Sequence, residues 1–564
     1  MASTFDFIVV GSGPAGSTVA AGLARSAKSP KVLLLEAGGL NEDKNLRVDG
    51  QRWITFMNKH MNWGYSTTPQ EGLDNRSLDY SRGLGMGGSS AINFGVFTVG
   101  ARDDYEEWAR IVGDDSFRWG PIQSRLKSLE TFHGDLPSGL EKHFKGPNPA
   151  DHGTSGPLHV GFTTETERDL PDVLDVFQKA GFPFNNDHNS GNPIGMSLMI
   201  NSAHKGLRST AADLLEPKPE NLTIITQSPV QRLILEGKRA VGVESNGKKY
   251  FASKEVILSA GSLDSPKILM HSGIGPAKQL EKYNIPVVQS IEAVGKGLRD
   301  HTFSPLVYKR KEGTNERPAF YGDQKAMDEA LEQWKKDGTG PWAKFACELG
   351  VGWFKIPRLQ ESKEFQELPE DEKKYLTKET IPHYEFMTHL PIHWLMPGFP
   401  KDAWSYSCFL VFLFNAQTRG EVTLQSSDPN VPLLFDPKFF EHPFDRRAAI
   451  ESMRDAFRVA KHAAYTKDNV AALAEPKSES DEDILEYWKQ TMSSSWHMTG
   501  TVKMGKPEDQ DAVVDSNFKV KGIEGLRVVD MSVAPVLASC HVQAVAYVTG
   551  ATAAEKLIKE YGLA

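Results

Sequence analysis

The chain has 564 residues, 39% of them hydrophobic and 24% charged. That excludes a disordered tail and predicts more than one folding unit, or one unit with large insertions. A formal charge of −9, from 64 basic and 73 acidic side chains, argues against nucleic acid, whose phosphates require a basic face. Three cysteines cannot form a disulfide framework and fit a reducing compartment.

The chain reaches Phe5-Asp-Phe-Ile-Val-Val10 with no basic start, long apolar stretch or small-residue cleavage site. Tyr561-Gly-Leu-Ala564 is not a peroxisomal or ER address. The expectation is a cytoplasmic protein, secreted only if a signal peptide has been removed. The densest apolar run, Cys408–Phe414, is too short to cross a bilayer. Asn75-Arg-Ser77 and Asn221-Leu-Thr223 are glycosylation sequons of a kind expected by chance in a long chain.

Phe7–Val10 reads as a buried strand running into Gly11-Ser12-Gly13-Pro14-Ala15-Gly16, then an alanine-rich helix. Lys31–Leu35 is a second buried strand, ending on Glu36. In this arrangement Gly11 makes the tight turn, Gly13 lets backbone approach a pyrophosphate, and Gly16 lets helix pack on strand. The helix N-terminus offers free N–H groups to phosphates. Glu36 can accept from ribose hydroxyls, which disfavours a 2′-phosphate. The pattern predicts dinucleotide binding without choosing between NAD and FAD.

Arg82-Gly-Leu-Gly-Met-Gly-Gly-Ser-Ser-Ala-Ile-Asn93 is a second glycine cluster, where backbone can lie against a flat ring system or a phosphate. Val256–Gly261 is an apolar strand leading to a helix with Ile268, Leu269 and Met270, and Leu526–Ser532 is a strand with Asp530 at its end.

Together these residues resemble the glucose–methanol–choline (GMC) oxidoreductases, a family of FAD enzymes. Gly261–Gly275 matches the family's second signature. The first signature matches through Gly87-Gly-Ser-Ser90 and Asn93 and departs at Leu84. Asn62–Tyr65 with Thr68–Gln70, Val294–His301, and His497–Thr501 with Met504-Gly505 are also family-like. No motif covers residues 310–400. The resemblance implies an α/β fold, α+β overall: a Rossmann-type FAD domain interleaved with a substrate domain built on an antiparallel sheet covered by helices. The implied FAD-domain segments are 1–154, 216–305 and 491–564, and those of the substrate domain are 155–215 and 306–490. Arg419–Leu424 alternates as a strand within the latter.

The resemblance implies FAD, held non-covalently because no His lies in the Gly87–Phe97 loop. It would lie against Gly11, Ser12, Gly13, Pro14, Ala15 and Gly16, against Glu36 and Ala37, and against Trp63. Further contacts fall at Gly85, Gly88 and Ser89, at Asn93, Phe94, Gly95 and Val96, and at Val230 and Ala260. Asp530, Met531, His541 and Val542 complete the set. No metal is implied.

The family's catalytic His occupies the place of His497, and its second His or Asn that of His541. Oxidising an alcohol removes a carbon-bound hydride and a hydroxyl proton, and a neutral imidazole can take the proton. The expectation is that His497 is the base and His541 hydrogen-bonds the substrate oxygen. A His/His pair is similar to aryl-alcohol oxidase and glucose oxidase relatives, not to the His/Asn of choline and methanol oxidases or the Arg of formate-oxidase-like sites. It points to a small, primary or aromatic alcohol, with oxygen or another electron acceptor as co-substrate. The same resemblance covers FAD-containing hydroxynitrile lyases, light-driven decarboxylases and flavin-binding proteins without activity.

Other features are read as structural. His383–Trp394 with Phe399, Trp404 and Tyr406 is either an aromatic channel or core. His389 and His393 have metal-ligand spacing, but Pro391 breaks the helix that would align them. Cys347, Cys408 and Cys540 lack CxxC spacing, and Cys540 adjoins His541. Gln360–Thr380 mixes Lys and Glu as a solvated helix or lid would.

Overall fold

The computed structural model describes residues 4–344, 349–390 and 405–564. Short Val, Ile and Leu runs build the first sheet. Phe7–Val10, Val32–Leu35 and Val256–Leu258 are all 4% exposed or less, which suits strands covered on both faces. The order is Leu222–Ile225, Val32–Leu35, Thr4–Val10 and Lys248–Leu258, then Arg239–Ser245 and Val230–Glu236. The first four are mutually parallel, and Leu526–Val528 adds in parallel to Lys248–Leu258. Val10 is level with both Leu35 and Leu258, so Gly11, Glu36 and Ser259 leave the sheet at one edge. That carboxyl edge is where open α/β sheets bind ligands. The helix Pro14–Ala24 follows the turn, with proline at its start where a missing N–H is harmless, and packs against the helix Gln543–Glu560.

The second sheet is antiparallel, in the order Asn469–Ala474, Thr302–Arg310, Ser405–Leu413, Tyr384–Met387, Gly350–Phe354 and Gly195–Leu198. Ser405–Leu413 is buried at every position, so its run of apolar residues is a covered strand. Phe412 lies opposite Phe303 on one side and Glu385 on the other, and that row becomes one wall of the site.

The first sheet draws its strands from 4–35, 222–258 and 526–528, and the second from 195–198 and 302–494. Thr302–Arg310 runs across the expected 305/306 division, and Ser493–Ser494 pairs into the second sheet beyond residue 490. Gly420–Thr423 is a strand, as expected, but in a small separate sheet with Lys296–Leu298 and Leu434–Asp436.

Within 310–400, the helices Gln324–Asp337 and Pro341–Lys344 close a satellite core of Val48, Tyr321, Met327, Ala330, Trp334 and Trp342. Gln360–Thr380 forms two short helices, Lys363–Gln366 and Glu370–Thr377, that bury Phe365, Tyr375 and Leu376. Asn221 of the second sequon uses its side-chain amide to donate to Ala24 and Pro30 carbonyls, at 2.9 and 2.7 Å, so it is a strut between loops. Among the described residues no helix is long and apolar enough to cross a membrane.

Candidate active site

A cavity of about 460 Å³ runs from the glycine turn of the first sheet to the Phe303–Phe412 wall of the second. Its two ends are built differently.

At the glycine end, Gly11 has φ +100°, and an added Cβ would stand 2.4 Å from the Ser259 carbonyl oxygen. A Cβ on Gly16 would stand 2.0 Å from the Gly11 carbonyl, so helix and turn approach as the sequence pattern requires. At Gly13 and Gly261 an added Cβ meets nothing within 4 Å, leaving room beside the backbone for a ligand. The Glu36 carboxylate accepts from Ser12 N at 2.9 Å, Ser12 Oγ at 2.7 Å, Gly38 N at 2.9 Å and Gly85 N at 3.0 Å. A carboxylate has about four acceptor positions. Glu36 therefore first ties the two glycine loops together, and a ribose hydroxyl must share an oxygen already in use. Asp530 plays a similar part across the cavity, accepting from Gly261 N, Ser265 Oγ and Ser532 N. Burial pushes its carboxyl above the usual range.

Nearly all the expected contact residues line this cavity. Gly11 to Ala15, Glu36, Ala37, Trp63, Gly88, Ser89, Asn93 to Val96, Val230, Ala260, Asp530, Met531, His541 and Val542 all do, together with His497. Gly16 and Gly85 do not line it. The first is needed for packing, and the second places its N–H on Glu36.

At the other end, three imidazoles and two carboxylates meet. The rings of His497 and His541 are 4.8 Å apart and nearly perpendicular. The His497 backbone N–H donates to Asp300 at 2.7 Å, and the ring Nδ1 lies 3.0 Å from Nδ1 of His301 and 3.2 Å from Ser495 Oγ. The preceding residue, Trp496, has φ +59°, a left-handed conformation that a bulky side chain rarely adopts. Its indole donates to Asp79 at 2.8 Å. With Nδ1 occupied, Nε2 of His497 is the nitrogen left for the cavity. Burial depresses its pKa well below the usual value, and His541, His301 and Arg82 push the same way, so the ring is neutral. Burial pushes His301 down too, and lifts the Asp300 carboxyl to about 7.

His541 departs from its expected role in one respect. Its Nε2 is paired with both oxygens of Glu385, at 2.9 and 3.1 Å, leaving only Nδ1 for a substrate. Glu385 is completely buried, and burial raises its pKa although the attraction of His541 opposes this. The His541 backbone N–H donates to Thr98 Oγ1 at 2.8 Å.

Glu385 escaped the sequence reading. Its one signal is a lone acid inside the apolar strand Tyr384–Met387, where an ionisable group must have a partner. His301 stands out in the sequence only as the last residue of the Val294–His301 motif. The aromatic segment divides: Tyr384, Phe386 and Tyr406 are core, while Met387 and Leu390 line the cavity. Trp394, Phe399 and Trp404 lie outside the described residues. The remaining wall is Phe56, Phe94, Trp496, Phe303, Leu410 and Phe412. Phe56 packs on Phe94 at 5.3 Å and on Trp496 at 4.9 Å.

His389 is committed to Asp169 at 3.1 Å, and His393 and Cys347 lie outside the described residues. Among the described residues, no group of three or more His, Cys, Asp or Glu is arranged to hold a metal. Cys408 and Cys540 are buried, and burial keeps the Cys540 thiol protonated.

Comparison with known proteins agrees with this architecture. Family models described as GMC oxidoreductase match residues 5–303 and 416–550. Pyranose dehydrogenase 3 of Leucoagaricus meleagris is 32% identical over 99% of this chain and 93% of its own. A solved Aspergillus oryzae formate oxidase variant is 26% identical, with both chains fully covered and a TM-score of 0.89. A fungal aryl-alcohol oxidase structure, 24% identical with both chains covered, shares the fold with a TM-score of 0.86.

Proposed function

The chain belongs to the GMC oxidoreductase family, and from that premise we propose that it oxidises the CH–OH group of a small primary or aromatic alcohol to the aldehyde or ketone, with His497 as base. The family places it among FAD-dependent oxidoreductases acting on sugar or alcohol substrates, and the finer reading rests on the histidine end of the cavity. The carrying observation is a neutral His497 whose Nδ1 is occupied and whose neighbour His541 is backed by a buried carboxylate.

The residues present fit FAD. The open backbone at Gly13 and Gly261 lies between the glycine turn and the histidines. Ser12, Gly13, Trp63, Gly88, Asn93 to Val96, Val230, Ala260 and Met531 would hold it, and Glu36 would share an oxygen with the ribose. When bound, FAD supplies the hydride acceptor.

The protein's part is proton handling and orientation. With the His497 proton on Nδ1, where His301 and Ser495 lie, Nε2 is free to accept the substrate hydroxyl proton. His541 is held through Nε2 by Glu385 and presents Nδ1 to the substrate oxygen. Glu385 thereby fixes the orientation of the His541 ring against the substrate oxygen. Phe56, Phe94, Trp496, Phe303, Met387, Leu390, Leu410 and Phe412 exclude water and offer few hydrogen-bond groups, which favours an apolar or aromatic alcohol over a pyranose. Oxygen or another acceptor completes the cycle.

The test is anaerobic mixing of the purified flavoprotein with benzyl alcohol, a linear primary alcohol, a secondary alcohol and glucose. Bleaching of the flavin absorbance, fastest with benzyl alcohol, is expected. No bleaching by any of them would point to the lyase or binding readings instead. Peroxide on readmitting air would identify oxygen as the acceptor.

A further inference from the structure

Asp104 takes no part in the mechanism above, yet it is among the most heavily bonded buried groups near the site. It lies in the first turn of the helix Arg102–Val112 and is 1% exposed. Its Oδ2 accepts from Ala101 N at 3.0 Å and from Ser539 N at 2.8 Å. Its Oδ1 accepts from Tyr375 Oη at 2.5 Å and from Ser539 Oγ at 3.2 Å. Ser539 begins the turn Ser539-Cys540-His541. Asn415, just beyond the strand that carries Phe412, also donates to Ser539 Oγ, at 3.2 Å. The turn is thus held at one end by the Asp104 carboxylate and at the other by Thr98.

We propose that Asp104 is a positioning residue for His541: ionised, it clamps the Ser539–His541 turn, and protonated, it releases that turn and slows the reaction. The proposal rests on His541 acting as described under Proposed function. A carboxylate accepts charge-assisted hydrogen bonds from both N–H groups and both hydroxyls. A neutral carboxyl holds the N–H groups more weakly and must donate to one of the hydroxyls. Small displacements at a catalytic group are costly, up to about 10²-fold for about 1 Å.

The energetics support a functional role. Burial lifts the Asp104 carboxyl to about 6 from its usual 3.8, against the opposing hydrogen bonds from Tyr375, Ser539 and Ala101. The titratable groups around it are Tyr375, Cys540 and Tyr105, each kept protonated by burial, with the Arg299 guanidinium acting on the Tyr375 hydroxyl. A carboxylate with a raised folded pKa adds stability below its unfolded value and loses that contribution as pH rises through about 6. The ionised clamp therefore costs stability at neutral pH. On acidification from about pH 7.5 to about pH 5, this group stabilises the fold while loosening the His541 turn. Stability and rate move in opposite directions, which a purely structural role does not predict.

Asp104→Asn separates the two. Its amide oxygen still accepts from Ala101 and Ser539, and its NH2 can donate to the Tyr375 and Ser539 hydroxyls once they turn to accept. The measurements are the thermal midpoint and the anaerobic rate of flavin reduction by benzyl alcohol, each from about pH 5 to about pH 8. At about pH 7.5 the variant should melt no lower than wild type and reduce its flavin about tenfold more slowly. It should also keep any limb near pH 7 from Asp300 beside His497 and lack the wild-type loss of rate near pH 6. Retention of that acid limb, or a joint fall of rate and melting temperature, overturns the proposal. If Asp104→Asn yields no flavoprotein, Ser539→Ala and Tyr375→Phe each remove one donor, which raises the Asp104 pKa and moves the acid limb to higher pH. An unmoved limb in both overturns the proposal. A wild type that no alcohol on the panel reduces overturns both this and the proposed function, whereas a reduced wild type with a retained limb in the variants overturns Asp104 alone.

Discussion

The two ends of the cavity are made of different material. At the glycine end the working surface is backbone, held by Glu36 and Asp530, and Gly11 and Gly16 leave no space for a side chain. At the histidine end it is side chains, the His497 ring beside His301 and the His541 ring on Glu385, while Asp300 and Thr98 hold the backbone N–H groups of the two histidines. A backbone site tolerates no intrusion, because the main chain cannot rotate away. A side-chain site tolerates substitution sterically and loses chemistry instead. Damage at the first end should cost the cofactor and the fold, and damage at the second should cost rate alone.

The largest effect is expected at Gly16. Gly16→Val puts a branched side chain where even a Cβ meets the Gly11 carbonyl at 2.0 Å. Soluble protein carrying flavin should be absent, read as the flavin-to-protein absorbance ratio. A variant with full flavin content would break the contrast between the ends.

Glu385→Gln comes next. Removing the negative partner of His541 should leave flavin content and melting temperature near wild type and slow flavin reduction by about 10- to 100-fold, the scale of losing one charge-assisted orienting contact. An unchanged rate would mean that the Glu385–His541 pair serves packing only.

A pH-dependent effect lies outside the cavity, at a buried histidine that resembles the catalytic pair in surroundings but not in role. His152 is held between Glu130 at 3.0 Å and Asp187 at 3.1 Å and stacks on Phe132. Burial alone would depress its pKa, but the hydrogen bonds from its ring to Asp187 and Glu130 push it up to about 9. Its contribution to stability is complete below its usual 6.5 and is lost as pH rises through about 9. Wild type should lose about 3 kcal/mol over that window, and His152→Gln should show a flatter alkaline limb in denaturant titrations. Equal alkaline limbs would show that His152 is already neutral in the fold.

The same contrast explains what could be read from the sequence. The glycine end is local: the strand, turn, helix and Glu36 lie within one short segment, and spacing alone specifies their geometry. The histidine end is assembled from Thr98, His301, Glu385, His497 and His541, and no spacing links residue 385 to residue 541. A pairing across the second sheet does, through the register of Glu385 with Phe412 and the packing of Phe412 on His541 at 5.3 Å. The two histidines were found through motif resemblance, and their partners were not, because burial and hydrogen bonding appear only once the chain is folded. Thr302–Arg310 crosses an apolar boundary that composition does not mark.

The central claim is that His497 takes the substrate proton, and anaerobic single turnover tests it most directly. His497→Ala, loaded with FAD and mixed with the alcohol that wild type oxidises fastest, should bind flavin normally. Its flavin should be reduced about 10²- to 10⁴-fold more slowly, the usual contribution of a general base. Reduction at the wild-type rate would contradict the account.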